Sequence, residues 1–149
     1  MHVRQMIFSD YSSVYNLWAT TSGIGLNDTD DSEAGIKKYL LRNPDTCFVA
    51  EDNGEIIGVI LSGHDGRRGL IYHLAVKGSK RKQGVGNTLL EHAIDSLRNE
   101  GIAKVYITVF KNNETGNAFW DKRGFTIPDE TLYRAKEILQ IKYAVPMEI

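Results

Sequence analysis

The eight residues from Lys80 to Asn87, KRKQGVGN, constrain this chain more than any other stretch. They follow a strongly apolar run, Leu70 to Val76, that reads as a strand. They lead into a run from Val85 to Asn99 in which Leu89, Leu90, Ala93, Ile94 and Leu97 recur at helical spacing. A strand, a glycine-punctuated loop and a helix are thus predicted in immediate succession. The glycines let backbone approach a ligand closely. The first N–H groups of a helix lack internal partners, and the helix dipole adds about half a positive charge. Such a corner holds an anion, typically a phosphate, and Lys77, Lys80, Arg81 and Lys82 reinforce it. A plain glycine turn with solvated lysines accounts for the loop equally well on its own. Two familiar phosphate loops fail on the letters. A P-loop needs Gly-Lys-Ser/Thr, but Gly86 is followed by Asn87 and Thr88. A dinucleotide fingerprint needs a third glycine where Leu89 stands.

The rest of the chain supplies an alternating set of elements. His2 to Ile7 reads as a strand, Asp10 to Thr20 as a helix, and Thr21 to Asp31 as a loop. Ser32 to Arg42 is a second helix capped by Asp31 or Ser32. Cys47 to Glu51 and Ile56 to Leu61 form a hairpin around Asp52-Asn53-Gly54-Glu55. After the long helix, Lys104 to Phe110 is a strand, Glu114 to Lys122 a short helix and Phe125 to Ile127 a strand. Thr131 to Gln140 fits helix or strand by propensity. The order implies an α+β or mixed α/β sheet with helices covering it, in one domain spanning residues 1–149.

Composition narrows the function classes. A net charge of −1 gives no global field toward nucleic acid or membrane, so any basic site is local. The opening MHVRQMIFSD holds no apolar run of the export type, and no stretch approaches a membrane span, so a cytoplasmic protein is expected. Cys47 is the single cysteine and sits in the apolar run Cys47-Phe48-Val49-Ala50, where a buried structural thiol is expected. Glu51, His64 and Asp65 have no metal-ligand spacing, and no metal is expected.

Arg81-Lys82-Gln83-Gly84-Val85-Gly86 resembles the Arg/Gln-x-x-Gly-x-Gly/Ala motif of the GNAT N-acetyltransferase superfamily. Leu74-Ala75-Val76 matches the strand that leads into it. A second block, Asn113 to Phe125, is similar to that family's Asn-x-x-Ala-x-x-Phe-Tyr-x-x-x-Gly-Phe. The resemblance covers nearly the whole chain. It implies a mostly antiparallel sheet of six or seven strands, splayed between the fourth and fifth, with about four flanking helices. Thr131 to Ile138 would then be the seventh strand. Acetyl-coenzyme A would be the co-substrate, lying in the splay. Backbone at Leu74, Ala75 and Val76 would pair with its pantetheine arm, and Arg81, Lys82, Gln83, Gly84, Val85, Gly86 and Asn87 would hold its pyrophosphate. Asn113, Asn117, Phe119 and Trp120 would line the far side. The acceptor would be an amine of a small molecule or peptide, and a homodimer stays open.

Acetyl transfer to an amine sets three chemical demands. An alkylammonium, with a pKa of about 10, must lose a proton. The oxyanion of a tetrahedral intermediate needs a donor, for which the Val76 N–H is the candidate. The thiolate must leave. The family often puts a tyrosine where Trp120 stands, and an indole gives up no proton usefully. Tyr72 or Tyr133 could replace that acid. A glutamate found in ribosomal-protein alanine acetyltransferases is replaced by Thr108. Tyr72, His73 and an ordered water remain as bases. Strand alternation predicts Tyr72 on one face with Leu70 and Leu74, and His73 on the other with Ala75. For the acceptor, Asn27 and Asp28 in the acidic loop are the candidates, whereas Asp30 and Asp31 read as complements to the N-terminus of the second helix. A binding module without strong catalysis is the rival from another class.

Overall fold

The computed structural model describes residues 1–144, so the last five residues of the expected 1–149 domain lie outside the described part. In chain order the elements are β1 (His2–Gln5), α1 (Tyr11–Ala19), α2 (Glu33–Arg42), β2 (Phe48–Asp52), β3 (Glu55–His64), β4 (Gly69–Val76), α3 (Val85–Asn99), β5 (Val105–Ile107) and α4 (Glu114–Lys122). The strands form one sheet in the order β1-β2-β3-β4-β5. Neighbours are antiparallel except β4 and β5, which run parallel. The β2–β3 hairpin turns at Asn53 and Gly54, both at positive φ, the geometry that matches the twist of the flanking strands.

Each face of the sheet buries its own cluster. Val14, Leu17 and Trp18 of α1 and Ile36 and Leu40 of α2 pack on Val49, Val59, Leu61 and Ala75. On the opposite face Val85, Leu89, Leu90 and Ala93 of α3 cover Ala50, Ile60 and Ile71, with Phe119 and Trp120 of α4 against the rim. Burying each large apolar side chain contributes about 1.5–3 kcal/mol, so the α3 stripe fixes the helix whose first turn carries the glycine loop. Cys47 is fully buried, bonded to the Ser62 carbonyl, and burial pushes its thiol up to about 12. It is a core residue, as its apolar neighbours imply.

Two expectations need correction. The first concerns β4. Leu61 pairs with His73 and Ser62 with Ile71, so Tyr72 is an extra residue, a β-bulge. The bulge breaks alternation. Ile71 and Leu74 lie on the α3 face, whereas Tyr72 packs on Tyr39 of α2 and His73 on Trp18 of α1. Tyr72 and His73 therefore share a face, against the simple parity rule.

The second concerns strand number. Five strands are described, not six or seven. Neither Phe125–Ile127 nor Thr131–Ile138 pairs with the sheet. Strand parity explains the latter. Leu132 and Ile138 would share one face with Arg134 and Lys136, and Tyr133 and Leu139 would share the other with Glu137, so neither face is apolar. Residues 142–144 beyond it return to the loop after α1, where Asn27 bridges Tyr143, Asp28 N–H bonds the Lys142 carbonyl, the Asp28 carboxylate accepts from Lys142 N–H, and Ala144 N–H reaches the Leu26 carbonyl. No described helix is long and apolar enough to cross a membrane.

Candidate active site

The pairing of β4 with β5 stops after Ile71 and Ile107. Beyond that point the two strands part, and residues 72–76 of β4 face a gap. Lys77 N–H bonds the Ile57 carbonyl on β3. Since successive peptide groups point to opposite sides of a strand, the N–H groups of Leu74 and Val76 then point into the gap. The Val76 carbonyl on that side accepts from Arg81 Nε at 3.2 Å. The gap opens into a cleft of about 1550 Å³, lined by β4, the glycine loop, α4 and the loop between α1 and α2. That exceeds the ~300–1,000 Å³ of a pocket for one small ligand.

At one end lies the glycine loop. Gly84 is the residue before α3 and adopts φ 84°, with Lys82 also left-handed at 60°. A side chain at Gly84 would meet nothing within 4 Å, so its constraint is backbone conformation. Gly86 differs: a Cβ there would sit 3.3 Å from Phe119 Cε2 and 3.6 Å from Val76 Cγ2. It lets the first turn of α3 pack against α4 and β4. From residue 82 to residue 87, no backbone N–H has a partner among the described residues; the first bond beyond is Thr88 N–H to the Gly84 carbonyl. Six consecutive free donors at a helix start, with Lys80, Arg81 and Lys82 on the rim, form an anion cradle. Gln83 does not line the cleft, and its amide bonds the Ser79 carbonyl.

The wall from α4 divides the predicted residues by role. Asn113 caps the helix, accepting from Gly116 N–H at 2.9 Å, and lines the cleft. Asn117 is turned away; its amide nitrogen bonds the carbonyls of Phe110 and Asn113 and holds the β5–α4 connection. Phe119 and Trp120 line the cleft and stack edge-on, with Phe125 behind Trp120. Arg123 lies 3.6 Å over the Phe119 ring and donates to Asn87 Oδ1 at 2.9 Å. Asn87 also bonds Glu91, so its side chain braces the loop.

At the other end stand Tyr72 and His73. Burial, then the nearby Asp30 and Tyr133, raise the Tyr72 phenol above its ordinary range. It therefore stays protonated at neutral pH and can donate a proton but not accept one. His73 Nε2 lies 2.8 Å from Asp31 Oδ1, and the side chains are 11% and 5% exposed. Asp31 Oδ2 accepts from the Asn27 N–H at 2.9 Å. The cap of α2 is Ser32, which accepts from Gly35 N–H, so Asp31 is free of that duty. The acceptor candidates fare differently. Asn27 lines the cleft while folding its own loop through bonds from Thr29 and Asp30 N–H. Asp28 does not line it; its carboxylate accepts from Lys142 N–H. Asp30, Asp31 and Thr108 do line it. Sequence reasoning gave Asp31 only a role at the start of the second helix and missed its pairing with His73. Asp31 is 42 residues from its partner, and no local pattern marks that pairing.

Residues 11–125 match the Acetyltransferase (GNAT) family, and the chain belongs to that family. Acetyl transfer is therefore its chemistry. It is 31% identical over 129 residues to the acetyltransferase ECA0875 of Pectobacterium atrosepticum, covering 87% of this chain and 90% of that one. It is 29% identical over 140 residues to the acetyltransferase SG1711 of Sodalis glossinidius, covering 94% and 97%. In fold it is similar to Ard1 from Thermoplasma volcanium, with a TM-score of 0.74 and 24% identity over 85% of this chain and 83% of that one. A PaiA N-acetyltransferase from Thermoplasma acidophilum, solved with coenzyme A, gives 0.72 and 18% over 87% and 92%.

Proposed function

We propose that this chain, as one domain, moves the acetyl group of acetyl-coenzyme A to a primary amine of a small molecule or peptide. The observation that carries the reading is the continuity of three features in one cleft: the six free amides, the unpaired edge of β4 and the His73–Asp31 pair. The residues fit the co-substrate. A pyrophosphate suits the amides of residues 82–87, and Lys82 and Arg81 supply countercharge. A pantetheine arm, which carries amides, suits a strand edge with free N–H groups. Bound acetyl-coenzyme A supplies an activated thioester.

The chain's own groups do the rest. His73 takes the proton of the incoming ammonium, leaving a lone pair for attack. The N–H groups of Leu74 and Val76 face the gap, where charge develops on the acetyl oxygen. Attack forms the C–N bond and a tetrahedral centre; its collapse breaks the C–S bond, Tyr72 passing its proton to the departing sulfur and taking back the second proton shed by the nitrogen, while His73 releases the first to solvent. Trp120 shapes the cleft wall and transfers no proton. Phe119 packs the wall against the loop.

The test is thiol release from acetyl-coenzyme A with a panel of amines, amino acids and short peptides, with product mass measured in parallel. Turnover with one amine class, with a product mass that shows one acetyl group in place of one hydrogen, supports the reading. Tight binding of coenzyme A with no transfer to any amine contradicts it.

A further inference from the structure

The cleft contains a buried acid–imidazole pair with a defined geometry on both sides. Asp31 Oδ1 takes His73 Nε2 at 2.8 Å. Asp31 Oδ2 is held at 2.9 Å by the Asn27 N–H, and the Asp31 carbonyl accepts from the Tyr11 hydroxyl at 2.7 Å. The carboxylate is thus fixed from two directions. The His73 ring is fixed as well, by the edge of Trp18 at a centroid separation of 4.8 Å. His73 Nδ1 has no hydrogen-bond partner among the described residues, and both side chains line the cleft. A carboxylate only accepts, so the nitrogen facing it must carry the proton.

We propose that Asp31 is the positioning residue of this site: it keeps the His73 proton on Nε2 and presents Nδ1, bare, as the proton acceptor for the amine. The proposal rests on the acetyl-transfer reading for the use of that lone pair, and on geometry alone for the tautomer. The bulge does not place His73, which shares the α1 face with Ala75 by ordinary alternation; it brings Tyr72 onto that same face beside it.

The arrangement makes Asp31→Asn unusually informative. An asparagine has one carbonyl oxygen and one amide nitrogen. The Asn27 N–H claims the oxygen. The amide nitrogen is left facing His73 Nε2, and as a donor it demands a bare nitrogen there. The proton must then move to Nδ1, which loses its lone pair. The side chain keeps its size, and the substitution changes the tautomer rather than the packing. A wrong tautomer in a buried acid–histidine pair costs about 10⁴-fold in turnover where it has been measured in another enzyme. A loss of about 10²–10⁴-fold in kcat is expected here, with the affinity for coenzyme A unchanged.

The experiment is a long-range ¹H–¹⁵N spectrum of the imidazoles in the uniformly labelled chain, at a pH where they are neutral, with the His73 signals assigned by His73→Gln. In the wild type the proton is expected on Nε2 and the bare nitrogen at Nδ1. In Asp31→Asn the two are expected to exchange. A wild-type proton on Nδ1 overturns the proposal even if no variant folds, and so does an unchanged tautomer in a folded Asp31→Asn. Acetyl transfer at wild-type rate by Asp31→Asn overturns the positioning role while leaving the acetyl-transfer reading intact. Absence of thiol release from acetyl-coenzyme A by the wild type, with the expected tautomer present, overturns that reading and with it the use of the pair.

Discussion

Replacing Gly84 by alanine separates the anion cradle from every other part of the site. Gly84 sits at φ 84° immediately before α3, and nothing lies within 4 Å of where its Cβ would be. Alanine therefore creates no clash, and its whole cost is that of holding an L-residue in the left-handed region, about 1–3 kcal/mol. That cost can surface in two ways. If the loop keeps its shape, the fold is destabilised by that amount, and the melting temperature falls by roughly 2–4 °C per kcal/mol for a chain of this size. If the loop relaxes, the fold is spared, but binding must restore the strained shape. The coenzyme A Kd then rises by about 5- to 150-fold, at 1.4 kcal/mol per factor of ten. The two free energies should sum to about 1–3 kcal/mol. The assay pairs titration calorimetry of coenzyme A with thermal melts, and repeats the titration with pantetheine, which lacks the pyrophosphate. The loss of affinity should vanish for pantetheine. A Kd and melting temperature both unchanged, or an equal loss for pantetheine, would refute the assignment of residues 82–87 to the pyrophosphate.

Three further outcomes follow from the same geometry. Tyr72→Phe should lower kcat by up to about 10²-fold, the lower range for a positioned acid, with coenzyme A affinity unchanged; because burial and Asp30 raise the phenol, the wild-type pH–rate profile should show no Tyr72 limb below pH 10 (about the ordinary tyrosine value). Arg123→Gln removes both the cation over Phe119 and the brace on Asn87, and should raise the KM for acetyl-coenzyme A by about 2- to 30-fold, the range of a cation–π contact of ~0.5–2 kcal/mol, as steady-state kinetics would show. Asp10 is pushed up by burial, but the paired bonds from Arg4 and the Ile7 N–H outweigh this and hold it below its ordinary value. Its contribution is present above about pH 4 and lost as pH falls through the depressed folded value, so urea melts of Asp10→Asn should show a flatter acid limb and a loss of about 1–3 kcal/mol at neutral pH.

What the sequence discloses and what it hides divide along a physical line. The anion cradle is local: Gly84, Gly86 and the apolar stripe from Leu89 to Leu97 lie within one strand–loop–helix unit, and its spacing is readable from the letters. So are the hairpin at Asn53-Gly54 and the core position of Cys47. The parity of β4 was not readable, because one extra residue at Tyr72 moves that side chain onto the face of His73, and a bulge leaves no mark in an apolar run. The His73–Asp31 pair was hidden for a related reason. It joins residues on elements far apart in the chain, and an aspartate beside a helix start looks the same whether it serves the helix or a distant ring. Asn117 shows the converse: its place in a familiar block implied a cleft residue, but its amide is spent on loop carbonyls. The resemblance implies a strand from Thr131 to Ile138, yet that segment places charges on both of its would-be faces and stays off the sheet.

The most direct test of the account is a crystal structure of the chain with coenzyme A. The account expects the pyrophosphate on the amides of residues 82–87, the pantetheine arm along the free edge of β4, and the sulfur at the end of the cleft where Tyr72 and His73 stand. Phosphates bound away from the loop, or a sulfur at the opposite end of the cleft from His73, would contradict it.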